Sequence, residues 1–409
     1  MLWKNKNKFK VKSIKKVDLS GYMVKYGITQ EGILYAIIAK EGDQNRYYQE
    51  LIGISVDGKI LWHSALKIGY HSELRISKDG HCFIGFSNEI HKIDKNGTSE
   101  TFITIAIDSD QEIGSFAILD DAFIICIHGK KRPNSKVLKV DLKGQIIWET
   151  PIPVNGISYE GVMEMRADNN WKAERKKDWS PENWLCLYNN EIIISDDSIL
   201  VSYFEMPRSG IGKSYILDSK TGKIKWDSKP APFESISCIG KGMFLLGHQG
   251  YGAFDTELIS SEGELIDKWK SVGKTVVSKH KEIGLIEMDN SSASELYHSK
   301  LMGNGEVIRG SKIEGYYIID PVLDHYGNMI FWRNNELTVI DSKSKKHNLL
   351  RKAFEKEPTT SRRILLFDEG QLIFSLNKEL YILDTTLGFL DSGSWPCKFG
   401  NNERNPVID

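Results

Sequence analysis

The sequence predicts an all-β fold, an eight-bladed β-propeller of four-stranded antiparallel sheets, with seven blades as the alternative count. Three observations predict it. A phrase recurs along the chain: an apolar strand end, Asp or Ser, a few polar residues, Gly, then an apolar stretch closing on Trp. Its returns are regularly spaced, with 43 positions from Trp226 to Trp269 and 86 from Trp62 to Trp148. A period of about 40 residues made of strands and tight turns is a propeller signature. Finally, short runs of Ile, Val, Leu, Phe and Tyr are separated by Asp-Gly and Asn-Gly, and helical stripes are nearly absent.

The units fall at roughly 20–66, 68–106, 112–150, 190–229, 234–271, 274–310, 316–350 and 361–395. Each divides into four strands. In the second, Glu73–Lys78 and His81–Phe86 flank Asp79-Gly80, and Glu89–Asp94 precedes the turn at Asn96-Gly97. Glycine accepts positive φ at no steric cost, so these dipeptides mark hairpins. The last unit reads likewise, with a turn through Gly388 and a closing strand from Phe389 onward. The sixth and seventh units lack the closing Trp, which keeps the seven-blade count open.

Trp62, Trp148, Trp226 and Trp269 are expected to be structural. Each ends an outermost strand, where a large ring covers the gap to the neighbouring blade. Asp57, Asp94, Asp141, Asp218, Asp341 and Asp384 return at one place in the repeat, which points to turn chemistry rather than catalysis. At the N-terminus, Phe9, Val11 and Ser13 alternate with lysines. That suits an edge strand with charged gatekeepers, added to the final blade to help close the ring.

These phrases resemble the PQQ-like repeat, whose turn is written Asp, two or three residues, Thr-Gly-Lys, two residues, Trp. Asp218-Ser-Lys-Thr221-Gly222-Lys223-Ile-Lys-Trp226 fits closely, while Asp57–Trp62 and Asp141–Trp148 fit a shortened form. The resemblance implies an eight-bladed propeller. The family includes quinoprotein alcohol dehydrogenases and non-enzymatic scaffolds, so the motif marks the fold and not a cofactor. The dehydrogenases carry an adjacent Cys-Cys pair beside the quinone, which this chain lacks. The resemblance therefore points to the non-enzymatic branch, and no calcium ligand or catalytic Asp is carried over.

The bulk numbers exclude several classes. With 54 Lys and Arg against 55 Asp and Glu, no whole-molecule field draws the chain to nucleic acid or membrane. The five cysteines, at 82, 126, 186, 238 and 397, form no Cys-x-x-Cys pair, and buried thiols in strands are expected. The segment Met1–Lys16 lacks the apolar core of a secretory signal, and no stretch is long enough to span a membrane. A cytoplasmic, bacterial-type protein is the expectation.

No motif for bond chemistry emerges. The ten histidines form neither His-x-x-x-His nor His-Glu-x-x-His, and there is no Gly-x-Ser-x-Gly elbow or phosphate-binding Gly-Lys loop. Gly247-His-Gln-Gly250-Tyr-Gly252 reads as an inter-strand loop. No catalytic residue, metal or cofactor is assigned.

Departures from the repeat are more informative. The chain 1–409 reads as one propeller domain, with residues 151–189 inserted between blades 3 and 4. In a propeller this connection shares a face with the loops between second and third strands. The insertion brings Trp171, Arg175, Lys176, Lys177, Trp179 and Trp184. The neighbouring loops bring Lys130, Lys131, Arg132 and Arg208. Exposed aromatic anchors beside cations suit a protein interface. They also suit a nucleic-acid strand or other polyanion, although the near-zero net charge disfavours it. The plainer alternative is that the cations are solvated and the tryptophans pin the insertion down.

The sequence thus predicts a non-enzymatic binding scaffold that takes another protein as partner. An accessory subunit of a prokaryotic complex, such as a defence or toxin system, is one setting. Two alternatives stand beside it. One is a propeller enzyme (hydrolase, lyase or quinone-dependent oxidoreductase) with its site at the central channel. The other is a propeller that binds sugar or peptide there.

Overall fold

Short β-rich runs joined by tight turns build eight four-stranded antiparallel blades, with strand order following chain order in all but the last; the third strand of blade 4 also pairs at Ile211 and Gly212 with the first strand of blade 5, so these two blades are hydrogen-bonded to each other. A computed structural model describes residues 8–41, 47–69, 72–129, 134–153, 187–205, 211–229, 231–250, 253–287, 296–314, 319–352, 354, 358–360 and 363–408. The first strand, β1 (Val11–Asp18), belongs to the last blade. Blade 1 holds β2 (Tyr22–Ile28), β3 (Ile33–Glu41), β4 (Tyr47–Ser55) and β5 (Ile60–His63). Blade 2 holds β6 (Glu73–Ile76), β7 (Cys82–Phe86), β8 (Glu89–Ile93) and β9 (Ser99–Thr104). Blade 3 holds β10 (Gln111–Ile118), β11 (Ala122–Gly129), β12 (Lys136–Asp141) and β13 (Ile146–Pro151). Blade 4 holds β14 (Leu187–Ser195), β15 (Ser198–Glu205), β16 (Ile211–Asp218) and β17 (Ile224–Asp227). Blade 5 holds β18 (Ala231–Gly240), β19 (Met243–Gly250), β20 (Ala253–Ile259) and β21 (Leu265–Trp269). Blade 6 holds β22 (Gly273–Val277), β23 (Ile283–Glu287), β24 (Leu296–Leu301) and β25 (Val307–Ile313). Blade 7 holds β26 (Val322–Leu323), β27 (Met329–Arg333), β28 (Glu336–Ile340) and β29 (Lys346–Arg351). Blade 8 holds β30 (Leu365–Phe367), β31 (Gln371–Leu376) and β32 (Glu379–Thr385), and β1 pairs antiparallel with β32 as its outermost strand. The count is eight, and the seven-blade alternative falls.

One expectation is corrected here. Phe389 onward does not supply the closing strand of blade 8. That place is taken by β1, and the chain beyond Gly388 crosses to the channel, ending in β33 (Val407–Ile408), which pairs parallel with β14. The lysine-studded N-terminal strand closes the ring as its alternation suggested.

The core lies between blades, since a single sheet cannot bury both faces. Tyr35 and Ile37 of blade 1 pack on Leu74 and Ile84 of blade 2. Phe83 of blade 2 packs with Phe116 and Phe123 of blade 3. Leu337 and Val339 of blade 7 pack with Leu372 and Phe374 of blade 8. Cys82, Cys126 and Cys238 are buried on β7, β11 and β18; Cys397 is buried in the C-terminal segment instead.

The recurring phrase acts at these junctions. The indole N–H of Trp62 donates to the Lys95 carbonyl at 2.8 Å, in the last turn of the next blade. Trp148 donates to the Ser219 carbonyl at 3.3 Å, and Trp269 to that of Met302 at 2.5 Å. The turn glycine meets the ring face. A Cβ on Gly97 would lie 2.5 Å from Trp62, one on Gly222 2.6 Å from Trp148, and one on Gly263 1.9 Å from Trp226. These glycines also hold positive φ, at 85°, 72° and 80°. One residue type thus meets two demands, a left-handed turn and room for the preceding blade's indole. Between blades 6 and 7 the pair is exchanged. Gly310 stands against Ser344, which takes the left-handed position at φ 61°. That swap removes the closing Trp from the sixth unit and the turn glycine from the seventh.

The recurrent aspartates cap turns, as expected, at four of six positions. An Oδ1 accepts two backbone N–H groups at Asp94, Asp141, Asp218 and Asp341. In blade 1 the Ser55 hydroxyl accepts the Lys59 N–H, and Asp57 accepts from that hydroxyl. Asp384 lies on β32 and accepts from Ser13 of β1, because blade 8 has no turn into its fourth strand. The expected loop at Gly247–Gly252 is also corrected in part. Residues 247–250 continue β19, where a Cβ on Gly247 would sit 2.4 Å from the Ser235 hydroxyl.

Replacing Gly97 with Ala should destabilise the fold by about 2–4 kcal/mol, adding left-handed strain to displacement of the Trp62 ring. Gly303, with open space around it, is the control and should change stability by less than about 0.5 kcal/mol as Ala. Urea unfolding of both variants measures the difference.

Candidate functional site

The inner strands of a propeller converge on a channel, and backbone groups at their ends need partners. Here the C-terminal segment supplies them, one blade at a time. The amides of Ile28, Ile76 and Ile194 donate to the carbonyls of Asn402, Glu403 and Pro406, at 3.1, 3.0 and 2.8 Å. Those of Val277 and Leu323 donate to Trp395 and Pro396, both at 2.8 Å. The Asn405 side chain imitates a strand, accepting from Ile118 N–H and donating to its carbonyl, both at 2.9 Å. Ser394 Oγ donates to the Cys238 carbonyl and Asn402 Nδ2 to that of Leu366. All eight blades are held, and at each the contact lies near the end of the inner strand. The segment therefore plugs the channel at the face bearing the first turn of every blade.

Just inside the plug is a buried charged layer. Glu73 and Arg75 lie on β6, Lys25 on β2 and Arg404 on the plug. Glu73 accepts from Lys25 Nζ at 2.7 Å, Arg75 Nη1 at 2.5 Å and Arg404 Nη2 at 2.7 Å. Burial alone would raise the Glu73 carboxyl; Lys25, Arg404 and Arg75 outweigh it and hold it well below the usual range. Phe399 lies against three guanidinium groups, with Arg404 at 4.2 Å, Arg75 at 5.0 Å and Arg363 at 5.7 Å from its ring centroid. Phe399 and Arg404 hold φ of 71° and 66°, costly for side-chain-bearing residues. Cation–π contact and the Glu73 pairing fix this turn. Lys398 pairs with Glu191 of β14, and Arg363 Nη2 donates to the Asn401 carbonyl at 2.6 Å.

A second cluster, His248, Asp255 and Glu257 of blade 5, brings candidate ligand atoms within 4.8 Å of one another. Sequence reading missed it, since the residues face each other across β19 and β20 rather than in a motif. Its centre is not vacant for a cation. The Lys268 ammonium lies 3.0 Å from Asp255 and 2.6 Å from Glu257, and serves as the counter-charge. Among the described thiols, burial raises Cys126 to about 12 and Cys238 and Cys397 to about 11, so all stay protonated.

The ten residues predicted as a partner surface, Lys130, Lys131, Arg132, Trp171, Arg175, Lys176, Lys177, Trp179, Trp184 and Arg208, lie outside the described residues. The strand ends that bracket them are described. Lys136 pairs with Pro151, and Leu187 with Glu205, on the channel face opposite the plug. No signal in the repeat could have shown the plug, because residues 389–408 carry no turn phrase.

Known structures share the architecture. The chain is similar to the propeller of Dos1, with TM-score 0.60 and 12% identity over 92% of this chain and 95% of that one. It is also similar to a europium-containing methanol dehydrogenase, with TM-score 0.53 and 10% identity over 97% of this chain and 87% of that one. At such identities the likeness shows the propeller fold and nothing finer. No family model matches the chain, and no curated protein matches it in sequence. Among the described residues, no helix is long and apolar enough to cross a membrane. The sequence has no two adjacent cysteines, and in the described channel layer the Arg404 and Arg75 guanidinium groups lie 4.2 and 5.0 Å from the ring centroid of Phe399, a residue of the plug.

Because the folded Glu73 carboxyl titrates below its unfolded value near 4.5, its contribution to stability is present above that pH. It is lost as pH falls toward the folded value. Glu73→Gln should cost about 3–5 kcal/mol at neutral pH, leaving buried Arg75 and Arg404 and half-buried Lys25 short of their counter-charge. Its stability should also fall less steeply than the wild type's as pH drops below about 4.5, read by denaturant melts across that window.

Proposed function

We propose that this chain is a non-enzymatic binding scaffold that recognises another protein. One observation carries the reading: the chain's own C-terminal segment occupies the plugged end of the channel, where every blade gives it a hydrogen bond. Polar groups that could serve chemistry there are engaged in holding that segment. Glu73 is shared among three cations, Arg404 of the plug among them; within blade 5, away from the plug, the carboxylates beside His248 are neutralised by Lys268. A general acid or base needs a proton it can exchange with substrate, and these groups are committed elsewhere. A rigid ring with loops on its open face suits recognition by shape and buried anchors.

In this reading the partner meets the open face, through the tryptophans and cations of the insertion and the loops beside it. An accessory role within a prokaryotic complex is the setting we favour. The test is affinity purification of the full chain with native mass spectrometry. The expected result is a polypeptide free of quinone and a protein partner whose recovery drops about tenfold or more with Trp179→Ala and Arg175→Ala combined. Stoichiometric quinone or metal would instead favour the enzyme reading, and unchanged recovery would remove these two residues from the contact.

A further inference from the structure

On the plugged face lies an open depression of about 550 Å³. Its floor is the C-terminal segment, including Ser394 and Asn405, and its rim carries Lys78, Lys241, Lys279 and Lys281 with Glu403 as the lining carboxylate. The three lysines from blades 5 and 6 are exposed, and among the described residues no carboxylate lies in ion-pair range of Lys241, Lys279 or Lys281. Other surface lysines do pair with acids, as Lys220 with Asp197 at 2.7 Å and Lys225 with Glu262 at 2.9 Å; what distinguishes Lys241, Lys279 and Lys281 is that they share one hollow with a single lining carboxylate. Lys241 and Lys281 also hold positive φ, at 54° and 61°. Gly or Asn would take those turn positions at lower cost.

The depression continues sideways. Ser278 and Lys279 also line a second hollow of about 190 Å³ between blades 6 and 7, whose walls carry Lys300 together with the carboxylates Glu282, Asp341 and Asp391. His325 and Tyr326 stand at its side, with ring centroids 3.8 Å apart, and the Phe389 centroid is 5.8 Å from that of His325. Tyr326 is 60% exposed and Phe389 48%. Their turn is stiff: buried Asp324 accepts from the N–H groups of Tyr326, Asn328 and Gly388. A hollow lined by four lysines and one carboxylate thus adjoins a preorganised aromatic shelf.

We propose that this groove docks an acidic peptide segment of a partner protein, its carboxylates against Lys241, Lys279 and Lys281 and one apolar side chain against Tyr326. Charge complementarity selects an anionic occupant. The form of the groove selects a peptide. Its rim cations are lysines, point charges that suit carboxylates spaced along a chain, with none of the guanidinium forks that match phosphate geometry. The aromatic shelf gives a side chain a place that a compact inorganic anion would leave empty. This inference rests on the scaffold reading for the nature of the partner, but it lies on the face opposite the insertion.

The test uses the full chain and a fluorescein-labelled peptide of about ten residues, Asp and Glu with one Trp, followed by anisotropy. Binding should weaken about tenfold or more between roughly 50 and 300 mM salt. The triple change Lys241→Ser, Lys279→Ser and Lys281→Ser should weaken it about tenfold or more, and Tyr326→Ser about threefold or more. Lys12→Ser with Lys15→Ser, on the edge strand, should leave it unchanged. Binding unaffected by the triple change, or lost equally in the edge-strand control, would overturn the proposal. So would tripolyphosphate displacing the peptide while binding as tightly. Failure here with partner recovery intact in the purification above removes the groove and leaves the scaffold reading standing.

Discussion

Everything in this molecule depends on how eight inner strands, converging on one axis, find partners for the backbone groups at their ends. Antiparallel pairing satisfies a strand only along its flanks, and an unpaired buried amide costs about 1–3 kcal/mol. The chain solves this with its own last twenty or so residues. They run around the channel and give each blade a hydrogen bond, through main chain at five blades and through Ser394, Asn402 and Asn405 at the rest. The parallel pairing of β33 with β14 ends the circuit. The ring is thus closed twice, outside by β1 joining β32 and inside by the plug.

The charged layer follows from that solution. A segment crossing the channel must turn sharply, and Phe399-Gly400 and Arg404 adopt left-handed backbone to do so. Such a turn persists only where its surroundings over-determine it. Glu73 and Arg75 on one side and Arg363 on the other provide that, with the Phe399 ring as a common surface for the cations. The layer is a clasp. Glu73 pairs with Arg404 of the plug, Arg75 lies against Phe399, and Arg363 donates to the Asn401 carbonyl. One face holds the strand ends that bracket the insertion; the other holds the lysine-rimmed groove over the plug.

Much of this architecture was legible in the sequence. The Gly-to-Trp phrase works because its two ends act in successive blades, the Trp of one ring meeting the turn glycine of the next. That coupling makes the spacing regular and therefore visible. Where both members change together, as at Gly310 and Ser344, the geometry survives and the signal disappears. The alternation of lysine and apolar residues before Lys16 foretold an edge strand, since charge on one side and contact on the other is a local property. The plug was not legible. Its contacts use backbone carbonyls and three short polar side chains, and residues 389–408 made no pattern of their own. The groove was hidden for a related reason, as Lys241, Lys279 and Lys281 meet Tyr326 only once the ring has closed.

The most direct test of the plug as the ring's inner closure is hydrogen exchange on a chain ended after Gly388, with Arg404→Ala plus Asn405→Ala in the full-length chain as a milder companion. The account predicts that the amides of Ile28, Ile76, Ile118, Ile194, Val277 and Leu323 lose protection together in the shortened chain. In the companion, Ile118 and its neighbours in blades 2 and 3 should lose protection first, while second- and third-strand amides stay slow to exchange. Inner-strand amides that remain as protected without the last residues as with them would contradict it.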